Sequence, residues 1–214
     1  MTEQLSSGDL ISLIKRVFLP RTGETGLAIL VDLPDAAVPD NKNWAVRREI
    51  AADWLGRLTT HQAELGMKPV LVLYRNAHTN NGNLPDRCWI HAGGALPNTV
   101  DELDPARSIP FADLFASIPI FLVPSQFSAT APLKMAAKKY PFRAATMGGF
   151  CEAMIPALRL DYTEVNRRVN YLKDKLDRAT GADFVFAHPG GESALHLDLR
   201  FREAHASGGL LPKP

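Results

Sequence analysis

The stretch GLAILVD at residues 26–32 decides the fold. It is apolar up to its last residue, and turn-forming residues flank it on both sides. A short continuous apolar run favours a central strand that is covered on both faces. Further along the chain, KPVLVLYR (68–75) and PIFLVP (119–124) repeat this pattern, and RAATM (143–147) is a weaker version of it.

Helical patterns separate these runs. Apolar residues spaced by three and four follow Ser7, and a longer pattern from Asn43 to Gly66 predicts a helix with Arg47 and Arg48 in solvent. Parallel strands require crossover connections of this length. We therefore expect an α/β fold in which residues 26–32, 68–74, 119–124 and 143–147 form an open, mostly parallel, doubly wound sheet.

A different pattern begins after residue 158. Residues 159–181 predict a connector helix that buries a stripe including Leu172 and Leu176. Beyond it, 182–186 and 194–201 alternate in twos around Pro189-Gly190-Gly191, which indicates an antiparallel hairpin. The expected division is an α/β N-terminal domain at 1–158, the connector helix, and the beginning of a C-terminal domain at 182–214. Since an isolated hairpin is marginal in water, we expect this chain to be the N-terminal part of a longer protein.

Composition excludes several classes of function. Lys and Arg total 24 and Asp and Glu total 23, so a net charge of +1 indicates neither a nucleic acid nor an anionic membrane as partner. No apolar run approaches the ~20 residues of a membrane span. Only Cys88 and Cys151 occur, and the start lacks the basic and apolar regions of a secretory signal. A cytoplasmic location follows as the default prediction.

Motifs for phosphate binding and nucleophilic catalysis do not occur. The first strand is followed by Leu33-Pro34-Asp35 instead of a glycine-rich loop, and no Gly-x-Ser-x-Gly elbow exists. No catalytic residue is therefore predicted. In open parallel sheets, ligands bind beyond the carboxyl ends of the strands. The candidate substrate-binding residues are those that follow PIFLVP: Ser125, Gln126, Ser128 and Thr130. The alternative is that Ser128 caps the next helix, as hydroxyl residues after a strand commonly do.

One arrangement of histidines suggests a metal. His196 and Asp198 share a face of a predicted strand, and His188 or His205 would complete a ligand set. However, His196 also alternates with Leu195 and Leu197, as expected for the solvent face of a hairpin. We favour the solvent face and assign no metal ligand.

The segment Asp113–Phe186 resembles the aminopeptidase T family of metallopeptidases, also called thermophilic metalloproteases. The similar features are ordered: PIFLVP, a Ser/Thr-rich turn, a short helix with Lys134, then RAATM, a Met154 segment, the Asp161-Tyr162 helix and a hairpin. Residues 197–202 through Gly208-Gly209 are also similar. The family commonly has Gly-Thr-Asp at the hairpin, where this chain has Gly191-Glu192-Ser193.

The resemblance implies the N-terminal scaffold and substrate-cleft half of a metal-dependent aminopeptidase-like hydrolase. It implies a peptide or small-molecule substrate and a divalent metal (zinc, cobalt or iron) whose ligands lie beyond residue 214, so that this chain alone is inert. The alternatives are a ring-cleaving, iron-dependent dihydroxypyridine dioxygenase on the same scaffold and a non-enzymatic α/β binding module that acts with a partner chain. A homodimer is left open.

Overall fold

The computed structural model describes residues 4–212, which separate into two compact units: residues 4–159 with 211–212, and residues 160–210. None of the helices within residues 4–212 combines the length and the apolar character that crossing a membrane requires. The elements of the first unit are α1 (Ser7–Phe18), β1 (Gly26–Leu33), α2 (Lys42–Thr60), α3 (Gln62–Leu65), β2 (Lys68–Arg75), β3 (Arg87–Ile90), β4 (Ile109–Pro110), α4 (Phe111–Ser117), β5 (Ile120–Ser125), α5 (Thr130–Ala136) and β6 (Arg143–Gly148), with 3₁₀ turns at Val100–Glu102, Pro105–Arg107 and Glu152–Arg159.

The six strands form one sheet in the order β4-β3-β2-β1-β5-β6. The four strands β2, β1, β5 and β6 are parallel, and β3 and β4 add an antiparallel edge. Helices flank this sheet, so the predicted α/β class and the four parallel strands are confirmed. After β1, the chain first forms β2, β3 and β4 on one side of it. It then crosses over to form β5 and β6 on the other side.

Both faces of β1 are buried, as its continuous apolar run predicts. Since successive side chains of a strand point to opposite faces, Ala28 and Leu30 share one face. They pack with aromatic and aliphatic residues of β2, β5, α4 and α5, and with Phe142 just before β6. Phe115 of α4 stacks on Phe142 with ring centroids 4.8 Å apart. This cluster forms the hydrophobic core on one face of the sheet.

Helix α2 corrects two sequence predictions. The helix predicted over 43–66 is interrupted at His61, and the short α3 then ends at Gly66, whose φ of +76° suits glycine. Arg47 and Arg48 were expected in solvent but are only 2% and 4% exposed. Arg48 reaches Asp40 at 2.6 Å, and Arg47 donates to the carbonyl of Phe150. These distant acceptors cannot be recognised from helical spacing, which reports only apolar residues.

The second unit consists of α6 (Tyr162–Leu176), β7 (Gly181–His188) and β8 (Gly191–Asp198). Asp161 caps α6 by accepting the amide protons of Thr163 and Glu164. The predicted hairpin is present, with Phe184 opposite Leu195. The predicted burial of the α6 stripe is wrong, because no residue of the helix is buried and Leu172 is 57% exposed. Periodicity identifies the apolar side of a helix, but that side is buried only where another element of the protein packs against it.

Candidate functional site

The candidate site lies at the carboxyl ends of β1, β2, β5 and β6. The chain continues from β1 to β2 on one side and from β5 to β6 on the other side. The gap between β1 and β5 is therefore the point at which the strand order of the sheet reverses. Ligands of open α/β sheets bind in the crevice at such a point. The four predicted residues Ser125, Gln126, Ser128 and Thr130 all fall at this edge, but they divide into an inner and an outer pair.

The inner pair has internal hydrogen-bond partners. Ser125 is completely buried, and its Oγ donates to the carbonyl of Phe127 at 2.6 Å. The Gln126 Oε1 accepts a hydrogen bond from Arg47 Nη1 at 2.7 Å. Both side chains therefore stabilise the turn after β5, and their contact with substrate stays a prediction.

Asp32 closes the junction between β1 and β5. Its side chain is buried, and its two carboxylate oxygens accept the backbone N–H groups of Gln126 at 2.7 Å and Phe127 at 3.0 Å. Burial raises the pKa of Asp32, against the lowering effect of these two hydrogen bonds and of the Arg47 charge. From the sequence, Asp32 was predicted only as the last residue of a strand. The one feature that pointed to a buried, hydrogen-bonded carboxylate is that the apolar run 26–32 ends in an aspartate.

The outer pair, Ser128 and Thr130, joins a polar cluster that reaches the solvent. Ser128 Oγ donates to Asn81 Oδ1 at 3.2 Å and lies 3.1 Å from Thr130 Oγ1. Thr130 Oγ1 lies 2.7 Å from Thr146 Oγ1 on β6, and the Ser128 amide donates to Asn80 Oδ1 at 2.8 Å. We call these five side chains the outer polar cluster. It brings together the loops after β2 and β5 and the end of β6.

Two details show how closely this cluster is built. The N-cap position of α5 is Ala129, but Ser128 Oγ accepts the amide proton of Thr130, the first residue of the helix, at 3.4 Å, so the capping role expected as the alternative stays open. A Cβ at Gly148 would lie 2.7 Å from the Ser128 Cα, so only glycine lets β6 approach this turn. The Asn80-Asn81 loop was visible in the sequence, but its contact with Ser128 was not.

A second polar group lies after β1 and β2. Asp35, whose side chain is 3% exposed, accepts a hydrogen bond from His78 Nε2 at 2.7 Å and contacts Arg75 Nη1 at 3.3 Å. Burial tends to raise the pKa of Asp35, but hydrogen bonds from His78, Val38 and Ala37, together with the positive charge that His78 carries when protonated, outweigh it and bring the pKa to about 2. These residues belong to no recognisable sequence motif, because 43 positions separate Asp35 from His78.

His196 contacts an aspartate on the opposite strand of the hairpin. His196 Nδ1 lies 2.6 Å from Asp183 Oδ1 across the hairpin, and Asp198 pairs with Arg200 at 2.7 Å. All four side chains are exposed, as the solvent-face interpretation predicts. Within residues 4–212, no group of three or more His, Cys, Asp or Glu side chains is placed to hold a metal ion.

The chemistry of the edge is therefore of two kinds. The outer polar cluster presents uncharged donors and acceptors, which suit a ligand rich in amide groups. The Asp35–His78 pair presents an imidazole that is held by a carboxylate. Comparison with known proteins finds no family model, no curated protein and no solved structure that matches this chain.

Proposed function

We propose that this chain is the substrate-cleft half of a metal-dependent aminopeptidase-like hydrolase, in which the outer polar cluster contacts a peptide substrate. The observation that carries the proposal is the convergence of five uncharged polar side chains at the reversal point of the sheet. The ordered features of residues 113–186 that resemble the aminopeptidase T family support the same direction.

The cluster matches the polar groups of a peptide. A peptide backbone carries alternating N–H donors and C=O acceptors without formal charge, and the hydroxyls and carboxamides of the cluster can serve either kind of group. Asn80, Asn81 and Thr130 are exposed, so a ligand reaches them without unfolding the sheet. The hydrogen bonds among the hydroxyls of Ser128, Thr130 and Thr146 are exchangeable for bonds to substrate at little net cost. The Oδ1 atoms of Asn80 and Asn81 accept the backbone amide protons of Ser128 and Ala131, which leaves their NH₂ groups to donate to a ligand.

Cleavage would require a divalent metal, either zinc, cobalt or iron, which polarises a carbonyl or activates water when it is bound. The acidic, histidine and cysteine side chains of residues 4–212 do not form a set that fits such an ion. In this proposal the metal belongs to a separate metal-bearing half. The described residues contribute binding and orientation of the substrate only.

The proposal is tested by titrating the isotope-labelled chain with leucine amide and measuring the changes in the chemical shifts of its backbone amides. We expect shifts concentrated at residues 80–81, 128–130 and 146. The T130A and S128A variants should each weaken binding about fivefold, the equivalent of one ordinary hydrogen bond of ~1 kcal/mol. The control is S117A, because Ser117 Oγ also hydrogen-bonds internally, to the carbonyl of Asp113 at 2.8 Å, but lies on α4. Shifts that are absent, or that survive in both variants, would contradict the proposal.

A further inference from the structure

The Asp35–His78 pair has the arrangement of a proton-transfer site. The Asp35 carboxylate is fixed first, because its Oδ1 accepts the amide protons of Ala37 at 3.1 Å and Val38 at 2.9 Å. Its other oxygen, Oδ2, then holds His78 Nε2 at 2.7 Å. A carboxylate accepts hydrogen bonds and cannot donate them, so neutral His78 carries its proton on Nε2.

The remaining nitrogen of His78 is available. Nδ1 makes no hydrogen bond within residues 4–212, and the side chain is 49% exposed. With the proton held on Nε2, Nδ1 presents a lone pair toward the solvent. This division of roles, in which a buried carboxylate orients one nitrogen and the other faces outward, is the arrangement by which histidine acts as a general base.

The backbone around His78 is held in an unusual conformation. His78 has a φ of +59°, which residues other than glycine rarely adopt. Buried Asn76 supports this conformation: its Oδ1 accepts the His78 amide proton at 2.9 Å, and its Nδ2 donates to the Leu33 carbonyl at 2.9 Å. Strain of this kind persists where the surroundings enforce it, and it is common at functional sites.

The charges that surround the pair leave the carboxylate ionised. Arg75, at the end of β2, contacts Asp35 and also lies 3.8 Å from Asp101 in the 3₁₀ turn. With its pKa at about 2, Asp35 remains a carboxylate over the whole neutral range. The loop that carries His78 continues directly into Asn80 and Asn81 of the outer polar cluster, at the same edge of the sheet.

We propose that Asp35 and His78 form a general-base pair for the hydrolysis of small acyl substrates at the carboxyl edge of the sheet. Nδ1 of His78 accepts a proton from water while the water oxygen bonds to the acyl carbon. The bond from the acyl carbon to the leaving oxygen then breaks, and the imidazolium returns its proton to the departing group or to solvent. Asp35 is the positioning residue. This activity does not depend on peptide binding by the outer polar cluster.

Hydrolysis of p-nitrophenyl acetate tests the step, because this activated ester needs no metal to polarise its carbonyl. We expect H78A to lower the second-order rate constant about tenfold or more. A positioned base supplies ~10²–10⁴-fold for its own substrate, and a smaller effect is expected for an ester that the site does not orient. The matched control is H61A, because His61 is an exposed histidine whose Nδ1 contacts a backbone carbonyl, that of Arg57 at 3.0 Å. An H78A rate within twofold of the parent, or an equal loss in H61A, would overturn the proposal.

The nitrogen chemical shifts of His78 give an independent test on the unmutated chain. We expect neutral His78 to show only the tautomer with the proton on Nε2, whereas D35N should show a mixture of both tautomers. A parent chain with mixed tautomers would overturn the role of Asp35 even if H78A failed to fold. S117A changes a residue of α4 that belongs to neither site, so it should not change ester hydrolysis. Leucine amide is absent from this assay, so its outcome is separate from that of the peptide-binding test.

Discussion

At the scale of single residues, two buried polar side chains organise the edge of the sheet. Asp32 joins β1 to the turn after β5 through two backbone N–H groups, and Arg47 joins α2 to the same turn and to Phe150. Polar groups that are buried must be hydrogen-bonded, or their desolvation is not offset. We therefore expect loss of these contacts to lower stability, although neither side chain is itself apolar.

The D32N variant should lower the free energy of unfolding by roughly 1–3 kcal/mol. Asparagine keeps the size of aspartate but replaces one acceptor oxygen by an NH₂ group, which would face the N–H of Gln126 or Phe127 without a bond. Urea unfolding followed by tryptophan fluorescence measures this, because Trp44, Trp54 and Trp89 all lie in the first unit.

The control for this variant is D53N. Asp53 pairs with Arg57 at 2.6 Å, but on the surface of α2, where such i,i+4 pairs contribute only about 0.3–0.5 kcal/mol. Burial raises the pKa of Asp32, which means that the ionised carboxylate is itself costly in this position. If D32N were as stable as the parent, relief of that cost would have offset the lost hydrogen bond, and our account of Asp32 would be wrong.

At the scale of elements, similar apolar patterns have different surroundings. Leu30 on β1 is fully buried between neighbouring strands and helices, whereas Leu172 on α6 is 57% exposed. The spacing of leucine in a helix predicted burial for Leu172, but more than half of the residue is exposed in the structure. The contribution of each leucine to stability follows from this cover and not from its pattern.

The L30A variant should therefore lose roughly 2–5 kcal/mol of unfolding free energy, measured by tryptophan fluorescence in urea. L172A should change the stability of α6 by no more than about 0.5 kcal/mol, which is roughly a twofold change in amide exchange rate along the helix. A large increase in exchange in L172A would show that the α6 stripe is buried in solution.

At the scale of the whole molecule, apolar surface is unevenly divided. Every buried hydrophobic side chain among the described residues lies between Leu5 and Ile155, in the first unit. Of the fourteen exposed large apolar side chains of residues 4–212, ten lie in residues 160–210. On the hairpin, opposite pairing places four of them on one face: Phe184, Phe186, Leu195 and Leu197.

This apolar face should bind the dye 1-anilinonaphthalene-8-sulfonate, since contiguous exposed apolar patches are rare in folded proteins and attract such ligands. The F184S/L195S double variant removes two opposite side chains of the face and should lose most of the fluorescence enhancement. M135S is the control, because Met135 is 58% exposed but lies on α5 in the first unit. Equal losses in both variants would indicate that the dye does not report on the hairpin.

Much of the fold could be predicted from local patterns. The run at 26–32 and its repeats predicted the parallel strands, and the alternation around Pro189-Gly190 predicted the hairpin, because the side-chain periods of two and 3.6 are properties of the backbone itself. The position of Ser128 and Thr130 at the carboxyl edge followed from the same reasoning, since it needs only the direction of one strand.

The tertiary structure alone decided which distant residues meet. Asp35 and His78, Asp32 and Phe127, and Arg47 and Phe150 are between 43 and 103 positions apart. Hydrogen bonds between such groups depend on the order in which strands join the sheet and on how loops cross its edge. A local period carries no information about either, whereas it does report which side of an element is apolar. Apolar patterns therefore determined the elements, and the packed sheet determined the polar partners from which the candidate site is built.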